Sequence, residues 1–294
     1  MSRGVVVMAY GTPASLDDVE AYYTHIRRGR PPTPDQVEEL TGRYLAIGGT
    51  SPLRAITDAQ AARIGSALGD GWTVAVGLKH ASPFIEDAVR SLADAGVSSV
   101  VGVVLAPHYS AGSVGEYIAR LRAATELPVA AVASWHDLPE YVAFLATAVR
   151  DSLASLPERT KVLFTAHSLP ERVLAGGDPY PDELAAGATA VAAAAGLAPW
   201  AGWGLAWQSA GRTADEWQGP DVVEVLDDLA ATGRADGVLV CPHGFVADHL
   251  EVLHDLDVVA AGRAASLGLA FSRTPSLNDD PTVLGALAER VRAA

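Results

Sequence analysis

The residues best suited to chemistry in this chain stand at two strand-to-helix corners. In KVLFTAHSLPERV an apolar run delivers His167, and in GVLVCPHGFVADHLEVLHD another delivers Glu251. Both runs are bounded by turn residues, the pattern of a parallel strand buried on both faces. Ligands of open α/β sheets bind at the C-terminal edge of the strands, where His167 and Glu251 fall. A neutral imidazole and a carboxylate meeting there suit a borderline divalent metal such as iron, handled transiently rather than stored. Glu251 and Asp255 are four apart on a helix face and can pass a hydrated cation along it, although an ordinary solvated face explains Asp255 taken alone. His249 and His254 are expected to point elsewhere. His243 could approach the cleft, but a lone histidine after a strand is more often a satisfied structural group.

The elements that must position these residues alternate along the chain. VVVMAY, TVAVGL, SVVGVVLA and PVAAVAS read as buried strands before residue 137, and KVLFTA, GWGLAW, GVLVC and LGLAFS follow it, with helical patterns between. That alternation is the signature of a doubly wound α/β protein. The halves also resemble each other. AYGTP at 9–13 holds the same first-corner place as AHSLP at 166–170, and His108 precedes Glu116 by the same interval that separates His243 from Glu251. Two similar four-stranded lobes, 1–137 and 138–294, are therefore expected to face each other across a cleft, with the C-terminal helix packing back on the first lobe. If they oppose one another about an approximate dyad, Tyr10 and His167 end equivalent strands and face each other, giving a flat ligand different chemistry on its two faces.

Composition bounds the function. The chain has 294 residues, 49% of them hydrophobic and 19% charged, enough for a substantial core. The formal net charge of −14 argues against a nucleic-acid role. No segment approaches a membrane span, and no secretory leader is apparent, so a cytoplasmic protein is expected. The single Cys241 excludes an internal disulfide and any all-cysteine zinc or iron–sulfur site within one chain. Basic residues are locally dense at His25, Arg27, Arg28 and Arg30, whereas Lys79 and Lys161 are the only lysines. Arginine pairs bidentately with carboxylates and phosphates, so the patch points to an anionic small ligand.

The corner after the first strand has its own punctuation. Ser15 with Asp18 reads as a helix start whose apolar face is Val19, Tyr22, Tyr23 and Ile26, and Gly29 ends it. Arg27 sits in the last turn, where its head can reach over the cleft. Thr33, Pro34 and Gln36 mark a second start, and that helix runs through Arg43 and Tyr44 toward Gly48 and Gly49 before the Thr50, Ser51, Pro52 loop. This polar segment is expected to form one wall of the pocket.

The ordered motifs MAYGTP, YYTHIRRGR, LTGRYLAIGGTSPL, GLKHASPFIEDAV, VLAPHYS, AHSLPERV, GDPYPDEL, WQSAGRT with WQGPDV, and GFVADHLEVLHD cover nearly the whole chain. Through them the chain resembles the ferrochelatases, and within them the coproporphyrin III ferrochelatases of Gram-positive bacteria. The resemblance implies two Rossmann-like lobes of the chelatase-type fold and insertion of ferrous iron into a porphyrin in haem biosynthesis. It implies that His167 and Glu251 are the iron ligands and proton-handling pair. Tyr10 would reach the iron from the opposite face, and Arg27, Arg43, Tyr44, Ser51 and Tyr117 would contact the porphyrin, largely its propionates and rim.

The implied chemistry explains the residue types. Iron must shed water while two pyrrole N–H protons leave, and a ring held distorted through its propionates exposes its nitrogens. The mainly polar wall RPPTPDQVEELTGRYLAIGG suits tetra-anionic coproporphyrin III better than protoporphyrin IX. Fe²⁺ is then a substrate, no tightly bound cofactor or iron–sulfur cluster is expected, and the enzyme is expected to be a monomer. A protoporphyrin IX ferrochelatase, a cobalt or nickel chelatase for a related macrocycle, a non-catalytic tetrapyrrole carrier and a solute-binding protein are the other readings. Val259 stands where some relatives carry another carboxylate for an outer hydrated metal.

Overall fold

A computed structural model, describing residues 2–199, 202–211 and 213–294, contains two four-stranded, all-parallel sheets. The first is built from β1 (Arg3–Ala9), β2 (Trp72–Leu78), β3 (Val100–Val104) and β4 (Val129–Val132). The second contains β5 (Thr160–His167), β6 (Trp203–Gln208), β7 (Gly237–Cys241) and β8 (Ala270–Arg273). The strand orders, β2-β1-β3-β4 and β6-β5-β7-β8, are the same once the second set is shifted by four. The sequence repeat is thus a repeat of topology, with β5 the counterpart of β1 and β7 that of β3. All eight expected strands are present. The last starts later than its apolar run, because Leu267 to Leu269 close a helix through Gly268 at φ 73°.

Helices fill the crossovers, as parallel pairing demands. In the first half these are α1 (Val19–Ile26), α2 (Pro34–Ala46), α3 (Leu53–Leu68), α4 (Ile85–Asp94) and α5 (Val114–Ala123). Next come α6 (Pro139–Leu153), α7 (Glu171–Leu174), α8 (Tyr180–Ala195), α9 (Val222–Thr232), α10 (Leu250–His254), α11 (Ala261–Ser266) and α12 (Pro281–Ala293). Both sequence-marked starts are observed. Asp18 accepts hydrogen bonds from the Ser15 backbone and hydroxyl, although a 3₁₀ turn precedes α1, and Thr33 caps α2 with Gln36 reciprocating. Between α10 and α11 the chain widens into a π-helical turn, Asp255–Ala260, that nothing in the sequence announced.

The central core is shared by the two halves. Val5, Val7, Val101 and Val103 of the first sheet join Phe164, Leu239 and Cys241 of the second through α6, α8 and α12. Helix α12 packs mainly against α3. Burial pushes the Cys241 thiol up to about 12, so it is an inert core residue. Among the described residues no helix is long and apolar enough to cross a membrane.

Where the halves meet, a second group of histidines is buried. The His108 ring lies 5.2 Å from His136 and 5.1 Å from His243, centroid to centroid, and Gly187 of α8 leaves the room they need, since a Cβ there would meet His108 Nε2 at 3.2 Å. His243 Nε2 donates to the Leu184 carbonyl at 3.2 Å. Its Nδ1, like both His108 nitrogens, has no protein partner among the described residues. His243 is thus structural and 1% exposed, away from the cleft that His108 lines.

Candidate active site

The strand ends of both sheets open into one cleft of about 1310 Å³. Tyr10, Tyr44, Ser51, Tyr117, Arg43, His167 and Glu251 all line it. The Arg27 guanidinium does not, because it turns back to the Arg30 carbonyl at 3.2 Å and stacks over the Tyr23 ring; the neighbouring Arg28 lines the cleft instead. Arg212 of the WQSAGRT run lies outside the described residues.

His167 ends β5, and Glu251 opens α10 after β7. The His167 Nε2 atom stands 3.6 Å from Glu251 Oε1. His167 Nδ1 faces the Ser168 carbonyl at 2.5 Å, which fixes the ring and leaves Nε2 toward the cleft. Gln208, fully buried, accepts from Thr165 Oγ1 and donates to the Glu251 carbonyl, tying β5 and β6 to the start of α10. Burial alone would lower the His167 pKa. The Glu251 charge and hydrogen bond, the Ser168 carbonyl and the charge of Asp255 outweigh it, so the imidazole titrates above its ordinary 6.5. For Glu251 the balance runs the other way. Burial opposes its charge, but His167 and His249 hold the carboxyl far below the usual range.

His249 corrects the expectation that it points away. Its Nε2 lies 3.5 Å from Glu251 Oε2, on the opposite oxygen from His167, and it lines the cleft. Glu251 is therefore flanked by two imidazoles. His249 is the extended residue immediately before α10, at φ −155°, so helical spacing does not apply to it. His254 does turn elsewhere, to Asp255 Oδ1 at 3.0 Å. Asp255 is no solvated residue. It accepts from Arg43 Nη2 at 2.7 Å and from Ser209 Oγ at 2.5 Å, with 17% of its side chain exposed. This contact fastens the α2 wall to the π-helical turn.

The first-sheet side of the cleft carries different chemistry. Tyr10 follows β1 and is 43% exposed to the open cleft. The walls around its ring and the charges of Glu251, Tyr44 and Glu116 push its phenol up, so it stays protonated at neutral pH. His80, which the sequence reading did not single out, packs against Tyr10 with ring centroids 4.6 Å apart. Burial, then the charge of Lys79, lowers its pKa to about 3, so it is a neutral imidazole. Tyr44 shares a 3.3 Å hydrogen bond with Thr12, and the Ser51 hydroxyl accepts from Leu53 N at 3.2 Å. Arg43 Nε is buried without a protein partner among the described residues.

Paired parallel sheets with one cleft between their strand ends define the chelatase type of fold. Two solved structures share it over nearly their full length. One is CbiX, described as the terminal enzyme of siroheme biosynthesis in denitrifying bacteria, at a TM-score of 0.57 and 16% identity over 100% of this chain and 99% of that one. The other is SirB from Bacillus subtilis with Fe³⁺, at 0.57 and 14% over 99% and 95%. The ferrochelatase family model matches residues 2–294, and the chain belongs to the ferrochelatase family of metal-inserting enzymes. It is 42% identical to the coproporphyrin III ferrochelatase of Geobacillus kaustophilus, over 99% of this chain and 95% of that protein. It is 41% identical to the coproporphyrin III ferrochelatase of Bacillus subtilis, over 98% and 97%. A ferrochelatase of Herpetosiphon aurantiacus is 42% identical over 96% of both.

Proposed function

We propose that this enzyme inserts Fe²⁺ into coproporphyrin III and releases two protons and iron coproporphyrin III. The observation that carries this reading is the His167–Glu251 pair, 3.6 Å apart inside a cleft whose walls also bear Arg28, Arg43, Lys79, Arg120 and Arg172. A flat tetra-anion fits such a wall, and its centre falls beside the pair. In this scheme the propionates are held by Arg43, with Ser51, Tyr44 and Tyr117 along the rim. Binding energy gained there is available to hold the macrocycle out of plane. His167 Nε2 and a Glu251 oxygen replace water around the ferrous ion. As the pyrrole nitrogens take the iron, it leaves His167 Nε2 and the two pyrrole N–H bonds break; the freed Nε2 lone pair accepts the protons one after the other and passes them through Glu251 to His249. Tyr10, protonated and on the other face, can approach the metal of the product. No resident cofactor takes part, and the enzyme acts as a monomer in the cytoplasm.

An anaerobic assay comparing Fe²⁺, Co²⁺ and Zn²⁺ with coproporphyrin III and protoporphyrin IX tests the reading. Iron insertion into coproporphyrin III should be preferred, and His167→Ala should slow it by about 10²-fold or more while changing porphyrin affinity little. Equal rates for wild type and His167→Ala would sink the assignment, and faster turnover of protoporphyrin IX would move the substrate.

A further inference from the structure

The cations of the cleft are not all balanced in the same way. Arg43 is paired with Asp255, Arg120 with Glu86 at 2.8 and 3.0 Å, and Arg172 with Asp215 at 2.9 Å. None of these three carboxylates lines the cleft, so each supports its arginine from behind and leaves the ligand side to the guanidinium. Lys79 and Arg28 differ. They share Glu116, whose Oε2 lies 2.6 Å from Lys79 Nζ and whose Oε1 lies 3.6 Å from Arg28 Nη2, and Glu116 itself lines the cleft. The Lys79 side chain is 12% exposed while that of Glu116 is 41% exposed. The lysine is thus a largely buried charge, with its ammonium 5.1 Å from the centre of the Tyr117 ring, and the glutamate is its solvent-facing partner.

The repeat adds a second observation. Glu116 stands in the first turn of α5, after β3, as Glu251 stands in the first turn of α10, after β7. Its charge is felt at Tyr10 and Tyr117, which also line the cleft. A carboxylate in that position sits where an anionic ligand would meet Lys79 and Arg28.

We propose that Glu116 is a resident carboxylate that occupies the anion position between Lys79 and Arg28 in the empty cleft and must give way to a substrate carboxylate, so that it sets how strongly the enzyme favours tetrapyrroles by their number of carboxylates. This rests on the reading of the ligand as a polycarboxylate tetrapyrrole. The exchange costs little structurally, because the Glu116 side chain is 41% exposed and can rotate toward water, while Lys79 keeps a counter-ion throughout. It also withholds a bare buried ammonium from other small anions when the cleft is empty.

The test is binding of metal-free porphyrins, followed by fluorescence at fixed ionic strength, to wild type and to Glu116→Gln, which keeps the length and one hydrogen bond to Lys79 but removes the charge. Attraction scales with ligand charge, so coproporphyrin III, with four carboxylates, should bind the variant about three to ten times more tightly. Protoporphyrin IX, with two, should gain about the square root of that factor. Adding Lys79→Met should abolish the gain, since the freed cation is then missing. An unchanged coproporphyrin III affinity in Glu116→Gln, an equal gain for both porphyrins, or a gain that survives loss of Lys79 would each overturn the proposal. Wild type that binds neither porphyrin would overturn the underlying functional reading instead, and this inference with it.

Discussion

Acid should loosen this protein at His243, and the size of the effect follows from the seam between the halves. Burial is the main cause of the lowered His243 pKa. The Leu184 and Thr165 backbone groups resist the fall and nearby His136 assists it, leaving the pKa at about 4 against an ordinary 6.5. As pH falls through 6.5 the unfolded chain takes up a proton there, whereas the folded protein does so only near 4. Proton uptake therefore favours unfolding in that window, and the stability present above pH 6.5 is lost on the way to 4, by roughly 3 kcal/mol. The structural reason is burial: the ring is enclosed with the His108 and Phe164 rings 5.1 and 5.5 Å away, and Glu183, which faces neighbouring His136 at 3.3 Å, already accepts from Ser134 Oγ and Tyr109 N. His243→Gln can retain the bond to Leu184 without titrating. Urea denaturation at about pH 7.5 and about pH 4.5 should show the wild type losing roughly 2 to 3 kcal/mol more than the variant. Parallel losses would refute the reasoning, because His108, whose pKa burial also lowers, remains in both proteins.

Three further outcomes are expected. In the metal-free enzyme, NMR should find the His167 imidazole titrating above pH 6.5, and Glu251→Gln should bring it down, because the charge that favours the imidazolium is gone. The acid limb of kcat/KM should move to lower pH in step, since only the neutral ring can take a proton. Arg43→Met should weaken coproporphyrin III binding by about tenfold to a hundredfold, the worth of a charge-assisted contact, in the same fluorescence titration. Gly244→Ala should cost about 1 to 3 kcal/mol in a thermal melt, because its Cβ would lie 2.5 Å from the Ala166 Cβ and 2.8 Å from the Ala166 Cα, and iron insertion should fall as β5 shifts under His167.

The sheets were legible because a parallel strand buried on both faces leaves an unbroken apolar run, as in VVGVV of β3 and GVLVC of β7, all of whose residues are buried. The repeat then carried more than the strands did. It paired Tyr10 with His167 and Glu116 with Glu251, and so located the cleft. What stayed hidden was non-local or irregular. The Arg43–Asp255 contact joins residues 212 positions apart and could not be read from spacing. His249 was expected to point elsewhere, and its true direction is set by an extended cap before α10 that residue spacing does not reveal. Arg27 turns from the cleft to the Arg30 carbonyl, in a stretch where the chain leaves α1 with Arg28 at φ 56°, a backbone state that side-chain type does not foretell.

The placement of α12 bears on how the molecule is made. The surface of α3 that it covers belongs to the first lobe, yet Val283, Leu284, Leu287 and Val291, the fully buried residues that seal the shared core, come after both sheets in the chain. During translation the first sheet must wait with an apolar flank open to water. The first half is therefore closed only once the helix after the last strand has been made, and that helix bolts the two halves together.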